Sequence, residues 1–265
     1  MLKGEGAIRL NIQKKTISEV REILIQEESI SETLLAAMKD DSRIGIQKLL
    51  ERYHREQEEQ LRKQEKAQHM LILERKLWSK GYSFIGGIDE AGRGPLAGPV
   101  VSACVVLPKD LIIEGVDDSK KLTPHKREYL FNIILEKALS VGFGIVDHNQ
   151  IDKVNIYQAT IKSMEQAVNA CKQSPDYLLL DAMQLKRIPL PQLSLIGGDG
   201  KSQTIAAASI LAKVTRDKIM VSFAKIYPEY GFEKHKGYGT EEHVEAIRKH
   251  GLSPIHRKSF LTKIL

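Results

Sequence analysis

The sequence predicts an α/β domain preceded by a helical module. Residues 1–80 contain no Pro and only three Gly, and are rich in Glu, Gln, Lys and Arg, a composition that favours helix. From Tyr82 onward, apolar β-branched stretches alternate with helical patterns, which is the signature of strands and helices in alternation. Pro175 and the Pro189/Pro191 pair mark breaks in that alternation.

Taken in order, Thr16-Ile17-Ser18-Glu19 and Ser29-Ile30-Ser31-Glu32 both fit the reciprocal cap that starts a helix. Val20, Ile23 and Leu24 form one apolar stripe, and Leu34, Leu35 and Met38 form another. A third helix starts near Ser42 and extends to Ser79. Its middle, Arg52 to Gln68, is charged nearly all round, as in a solvated or bridging helix. Strands are predicted at Phe84 to Asp89, Val100 to Leu107, Val141 to Val146, Tyr177 to Asp181 and Leu193 to Gly197. Helices are predicted at His125 to Leu139, Ile151 to Cys171, Gln203 to Ile226 and Glu241 to His250. The predicted division is 1–80 for the helical extension and 81–265 for the α/β domain.

Composition narrows the function classes. The chain has 265 residues, 42% of them hydrophobic, enough for a sizeable core. Its longest apolar runs, such as Val100 to Leu107, are too short to span a bilayer. The first ten residues hold no apolar segment of the secretory kind. Cys104 and Cys171 show no metal-ligand spacing and read as reduced, buried thiols. The expectation is a cytoplasmic protein without a membrane anchor. A net charge of +6 is compatible with a polyanionic partner.

Four acidic residues stand where an apolar strand gives way to a loop. Asp89 and Glu90 close the first strand, Asp181 ends Tyr177-Leu178-Leu179-Leu180, and Asp199 follows Ile196-Gly197-Gly198. A carboxylate at the end of a buried strand is costly unless something compensates it. A divalent cation does so, and Mg2+ takes hard oxygen ligands of this kind. Singly, each Asp also reads as a turn or cap residue. Asp89 and Glu90 pose a geometric condition, because adjacent strand residues point to opposite faces. Both reach one site only if the strand ends or bulges, and Ala91-Gly92-Arg93-Gly94-Pro95 offers such a break. That loop presents backbone N–H groups and Arg93 to a sugar–phosphate chain, or is simply a tight glycine turn with a solvated Arg.

Gly87-Ile88-Asp89-Glu90-Ala91-Gly92-Arg93-Gly94-Pro95-Leu96-Ala97-Gly98-Pro99-Val100 resembles the signature of the bacterial ribonuclease HII family. Similar segments follow in order: Asp117-Asp118-Ser119-Lys120-Lys121-Leu122, Leu180-Asp181-Ala182, Gly198-Asp199-Gly200-Lys201, Ala207 to Asp217, His235-Lys236-Gly237-Tyr238-Gly239-Thr240 and Pro254-Ile255-His256-Arg257. The resemblance runs from Tyr82 to Phe260. It implies a ribonuclease H-like fold, a mixed central sheet flanked by helices. It implies that Asp89, Glu90, Asp181 and Asp199 are catalytic and hold two divalent ions, Mg2+ or Mn2+. Asp217 ranks below Asp199, because Arg216 beside it offers a salt bridge.

The same resemblance implies that Gly92, Arg93 and Gly94 contact the backbone around a ribonucleotide. It implies that Tyr238 packs on the sugar that follows. The 2′-hydroxyl is the group that distinguishes RNA from DNA, and an aromatic ring on the next sugar disfavours a second one. Tyr238 also reads as a half-buried tyrosine in a glycine turn. Ser119, Lys120 and Lys213 are the foremost phosphate contacts, with Lys121, Lys201, Arg216 and Lys236 behind them. His148, His243 and His250 show no partner and read as surface or core histidines.

The implied activity is cleavage of the RNA strand of RNA/DNA hybrids and nicking 5′ of single ribonucleotides in duplex DNA. The products carry a 3′-hydroxyl and a 5′-phosphate, and the enzyme is expected to act as a monomer. The sequence departs from the familiar pattern at its C-terminus, where eight residues follow Arg257 and no helical extension appears. The N-terminal module, with 16 basic and 14 acidic residues over 1–80, takes over duplex binding or serves stability or a partner. Two other readings stay open: a ribonuclease HIII preferring longer RNA, and a non-catalytic module that recognises hybrid duplexes.

Overall fold

The computed structural model describes residues 12–26 and 30–261. The chain divides into two compact units, Met1–Glu65 and Lys66–Leu265. Ser29 of the second expected cap lies outside the described residues.

In the first unit, helix α1 (Ile17–Gln26) starts at the expected cap: Thr16 N–H donates to Glu19 Oε2 at 2.7 Å, and Glu19 N–H returns to Thr16 Oγ1 at 3.3 Å. Helix α2 (Glu32–Lys39) is capped by Ser31, which accepts from Leu34 N–H. The two predicted stripes meet: Val20, Leu34 and Met38 pack with Ile46, Leu49 and Leu50 of helix α3 (Ile44–His69). Arg52–Glu56 and Lys63–Glu59 pairs lie one turn apart on its charged stretch, where such pairs contribute a few tenths of a kcal/mol each.

The division falls before the texture change at Tyr82, and packing explains why. The long helix expected to reach Ser79 breaks at Met70 and resumes as α4 (Ile72–Trp78). Met70 is buried with the core of the second unit, as are Leu71, Leu77 and Trp78. Lys66 also pairs with Asp117.

The second unit is built on a five-stranded sheet: β1 (Ile85–Ala91), β2 (Val100–Val106), β3 (Ser140–Val146), β4 (Tyr177–Asp181) and β5 (Gln192–Leu195). Its order is β3-β2-β1-β4-β5, antiparallel across β1–β2–β3 and parallel across β1–β4–β5. The mixed sheet agrees with the fold that the motifs implied. Helices α5 (Pro124–Lys137) and α8 (Gln203–Ile226) cover one face, where Ala103 and Val105 meet Leu130, Ile134 and the Ala206–Ala208 run. On the other face, Ile88, Cys104, Leu178 and Leu180 pack on Met164, Ala167 and Val168 of α7 (Ile156–Asn169). Gly87 makes the approach of α8 feasible, since a Cβ there would collide with the Thr204 backbone.

The helix expected over Ile151 to Cys171 is two helices, α6 (His148–Val154) and α7. Asn155 separates them at φ +68, and its side chain caps α7 by accepting from Gln158 N–H at 3.1 Å. With ψ at 166 the residue lies outside the left-handed helical region, in a strained conformation that few residues other than glycine adopt. Helices α9 (Phe232–His235), α10 (Glu241–His250) and α11 (Lys258–Leu261) follow. Among the described residues, no helix is long and apolar enough to cross a membrane.

Candidate active site

Strand register brings the first two acids together. Ile88 of β1 is paired with Leu180 of the parallel strand β4, and the next residue on each strand is acidic. Neighbouring strands lie about 4.8 Å apart, so Asp89 and Asp181 stand side by side on the face that α8 covers. Asp89 is only 6% exposed. Its Oδ1 accepts from Glu90 N–H at 2.8 Å, and the Ser209 side chain of α8 lies beside it. Asp181 Oδ1 accepts from Gly198 N–H at 2.9 Å. That bond ties the end of β4 to the short 3-10 turn Gly198–Gly200, which carries the buried Asp199.

These carboxylates lie within one another's field. Burial, then the charges of Glu90 and Asp181, pushes the Asp89 carboxyl well above the ordinary carboxylate range. Burial, then Asp118 and Asp181, raises that of Asp199. Burial also raises Glu90, with Asp181 adding to it and Arg93 opposing it. Partial burial disfavours the Lys120 ammonium, yet Asp118, Asp199, Asp89 and Asp181 together hold its pKa above the usual lysine value.

Glu90 is placed differently from expectation. The strand does not bulge: Asp89, Glu90 and Ala91 pair in regular succession with Ala103, Ser102 and Val101 of β2. Only the pairing with β4 ends, at Ile88. The Cβ of Glu90 therefore points away from that of Asp89, but beyond the end of the β4 pairing its carboxyl still lies beside those of Asp89 and Asp181. Its Oε1 accepts from Arg93 Nη1 at 3.1 Å, while its buried Oε2 has no hydrogen-bond partner.

The loop after β1 is held from behind by two buried arginines. Arg257 donates to the carbonyls of Gly98 at 2.9 Å, Arg93 at 3.1 Å and Gly92 at 2.6 Å. Arg216 donates to those of Pro99 at 3.0 Å, Lys236 at 3.0 Å and Ala97 at 3.1 Å. Both are fully buried. Arg216 is thus no phosphate contact, and its neighbour Asp217 pairs instead with Lys213 at 2.8 Å. With the carbonyls engaged, the N–H groups of the exposed Arg93 and Gly94 meet no acceptor among the described residues.

Gly92 sits at φ +97, where a Cβ would strike the Arg216 side chain and come within 2.7 Å of Pro99 O. At Gly94 a Cβ would meet only Tyr238 Cε1, at 3.9 Å. Gly92→Ala is therefore expected to lower the melting temperature, through roughly 1–3 kcal/mol of backbone strain plus displacement of Arg216. Gly94→Ala is expected to melt as the parent does. Equal melting curves for all three proteins in a thermal scan would contradict this account of the loop.

Tyr238 stands across from Gly94, 43% exposed. Lys213 Nζ and the Arg216 guanidinium each lie 5.8 Å from its ring centre. A cavity of about 670 Å3 opens beside the ring, lined by Lys213, Asp217, Lys218, Lys234, Lys236 and Tyr238 among others. Ser119 does not face this surface: it is 3% exposed, and its hydroxyl accepts from Ser209 Oγ at 2.9 Å. Lys121 lies 3.9 Å from Asp117, and Lys201 donates to Ile196 O at 2.7 Å.

Four residues at or behind the site carried no role in the sequence reading: Asp118, Ser209, Arg257 and Glu74. The buried Glu74 Oε1 accepts from Ser202 Oγ at 2.7 Å and from Thr204 N–H at 3.1 Å and Oγ1 at 3.0 Å. It thereby anchors the start of α8 just after the Asp199 turn.

The family model described as Ribonuclease HII matches residues 86–263, and that for the Ribonuclease HII N-terminal domain matches 16–78. The chain belongs to the ribonuclease HII family. It is an enzyme, a ribonuclease H of type 2. It is 49% identical to the ribonuclease HII of Clostridioides difficile (strain 630) over 256 residues, covering 96% of this chain and 100% of that protein. It is 51% identical to that of Desulfitobacterium hafniense (strain DSM 10664 / DCB-2) over 249 residues, covering 94% and 95%. Among solved structures, ribonuclease H2 from Pyrococcus horikoshii OT3 aligns with a TM-score of 0.58 at 27% identity, over 68% of this chain and 96% of that one. Bst-RNase HIII in complex with Mn2+ aligns at 0.52 and 18% identity over 69% of each chain, a likeness of fold.

A ribonuclease HII site can be tested for its fit to a divalent ion. Among the described residues, no three His, Cys, Asp or Glu side chains are already drawn together as ligands of one ion. Glu90 is turned to Arg93 and Asp181 to the Gly198 amide. The donor set is nevertheless all hard oxygen, it includes the partnerless buried Glu90 Oε2, and its members destabilise one another's ionised forms. Those properties suit Mg2+ or Mn2+.

Proposed function

We propose that this chain cleaves the RNA strand of RNA/DNA hybrids and nicks duplex DNA 5′ of a single embedded ribonucleotide. The products would carry a 3′-hydroxyl and a 5′-phosphate. The observation that supports it most is the parallel register that sets Asp89 beside Asp181 at the mouth of the Gly92–Gly94 loop. Asp89, Glu90, Asp181 and Asp199 would hold two divalent ions, Mg2+ or Mn2+. Such ions supply Lewis-acid activation and charge neutralisation for phosphodiester hydrolysis.

The chain's own residues recognise and orient. The free N–H groups of Arg93 and Gly94 are donors for a phosphate or for the 2′-hydroxyl of the ribonucleotide. Gly94 lacks a side chain that would keep the strand away. The Tyr238 ring, facing Gly94, packs on the following sugar and selects one that lacks the 2′-hydroxyl. Lys120 and Lys213 contribute positive charge for the backbone, and the buried Ser119 fixes the Ser209 side chain that lies beside Asp89. The catalytic domain, proposed as residues 81–265, is completed by the Lys66–Trp78 segment packed on it, with the rest of 1–80 as a helical extension. We place the enzyme in the cytoplasm as a monomer.

The test is a duplex carrying one ribonucleotide, incubated with and without Mg2+, with the nick mapped at nucleotide resolution. A Mg2+-dependent nick on the 5′ side of the ribonucleotide is expected. Cleavage of long hybrids alone, with the single-ribonucleotide duplex untouched, would favour a ribonuclease HIII-type preference.

A further inference from the structure

The turn that carries Tyr238 rests on a cluster of histidines that the proposed chemistry does not use. His243 and His256 are 0% and 2% exposed, and pack with Phe232 and Tyr230. His243 Nδ1 lies 2.8 Å from Tyr238 O, which also accepts from Thr240 N–H at 2.8 Å, and His243 Nε2 lies 3.0 Å from His256 Nε2. Ser253 N–H donates to His256 Nδ1 at 2.8 Å.

Proton positions follow from these contacts. A backbone N–H only donates, so His256 Nδ1 is the acceptor and its proton sits on Nε2. That proton points at His243 Nε2, which must accept it. The His243 proton is then on Nδ1 and is donated to the carbonyl of Tyr238. Burial lowers the pKa of both histidines to about 4, so both stay neutral near pH 7.

A third histidine, His235, holds the other side of the turn. Gly237 N–H donates to His235 Nδ1 at 3.1 Å, and His235 Nε2 faces Tyr230 O at 2.8 Å. Tyr238 N–H itself donates to His235 O at 3.0 Å, so the peptide groups before and after Tyr238 are both tied down, while the phenol ring projects to the surface. With the ring exposed, its placement relative to Gly94 is set by its backbone.

We infer that His243 is a specificity-determining positioning residue, holding the Tyr238 carbonyl through a one-way hydrogen-bond relay that starts at Ser253 and passes through His256. The inference rests on the reading that Tyr238 selects the sugar after the ribonucleotide. Its consequence is separable from general stability. His243→Asn keeps an N–H near the Nδ1 position and loses the contact to His256. His243→Gln keeps a polar atom near the Nε2 position and loses the donor to Tyr238. Each variant gives up one buried hydrogen bond of similar worth.

The experiment compares kcat/KM on a single-ribonucleotide duplex with kcat/KM on a continuous RNA/DNA hybrid for the full chain, the two His243 variants and Tyr238→Ala. Tyr238→Ala is expected to collapse the preference between the two substrates. His243→Gln is expected to reduce it on the order of tenfold, the scale of one lost hydrogen bond, and His243→Asn to restore most of it. If both His243 variants shift the preference alike, or neither does while Tyr238→Ala does, the relay has no positioning role. If Tyr238→Ala leaves the preference intact, the reading of Tyr238 fails and the inference goes with it. Nitrogen-15 NMR of the unmodified protein checks the relay without any variant. It should show His243 protonated at Nδ1 and His256 at Nε2, and the opposite pair of tautomers would overturn it.

Discussion

Asp89→Asn is expected to reduce cleavage at least a thousandfold while leaving the metal-free protein as stable as the parent, or more stable, at neutral pH. The activity loss follows from removing one of the charges that compensate a divalent ion, whose electrostatic contribution to the transition state is several kcal/mol. The stability effect has the opposite sign. Burial and the charges of Glu90 and Asp181 raise the Asp89 pKa in the folded chain, so the native state holds this proton more tightly than the unfolded one. Stability from this group is full below the ordinary carboxylate pKa and is lost as pH climbs through the raised value. Neutral pH lies well above the ordinary carboxylate value, so the penalty weighs on the native state there. Asn removes it, and its Oδ1 can still accept from Glu90 N–H as Asp89 does. The melting temperatures of parent and variant should therefore converge toward acid pH. Mg2+ or Mn2+ relieves the same penalty by binding the native state, so the ion should raise the melting temperature of the parent well above its effect on the variant. An Asp89→Asn protein that cleaves at parental rate, or gains as much stability from Mn2+, would remove this residue from the metal site.

What the sequence shows of this site is set by how local the determining physics is. Asp89 and Asp181 were legible because a carboxylate closing an apolar strand is costly anywhere. Their adjacency was not, since β4 lies some ninety residues downstream of β1 and only register makes them neighbours. Glu90 shows the limit of local reasoning in reverse. The glycine-rich loop suggested a broken strand, yet pairing with β2 carries the strand through to Ala91. Asp118 stands in a segment that the motifs singled out, but which acid of the Asp117-Asp118 pair faces Asp199 depends on tertiary placement. Ser119 was taken for a phosphate contact because it falls inside a segment that resembles the family's. Its burial against Ser209 of α8 carries no local signal. His243 looked solitary, because a partner thirteen residues away on a separate element, His256, leaves no periodic trace. The break at Asn155 had one cue, an Asn where helical periodicity otherwise continues.

Arg257→Met is expected to lower kcat/KM on every substrate about a hundredfold or more, the scale of a displaced recognition element, without changing preference among substrates. An arginine reads in sequence as surface charge, and a buried one normally has a carboxylate partner. Arg257 has carbonyl oxygens instead, those of Gly92, Arg93 and Gly98, with the Phe260 ring 5.1 Å from its guanidinium. Burial and the nearby Arg216 lower its pKa to about 9, still above neutrality, so it remains a cation at pH 7. Removing a buried charge is favourable in itself, and methionine fills much of the space. The three stranded carbonyls act the other way, at about 1–3 kcal/mol for each one that finds no new donor. The loop resolves that conflict by turning the carbonyls toward water, which rotates the Arg93 and Gly94 amides away from the strand they are proposed to meet. Global stability should therefore fall only modestly, while amide exchange across Gly92–Gly98 speeds up. Arg257→Lys preserves the charge and lacks the planar fork that reaches three carbonyls at once, so it should fail in the same way. This outcome differs in kind from that of His243→Gln, which is expected to alter the choice between substrates. An Arg257→Lys enzyme with parental rates and unchanged exchange at Gly92–Gly98 would show that charge alone, and not the fork, shapes the loop.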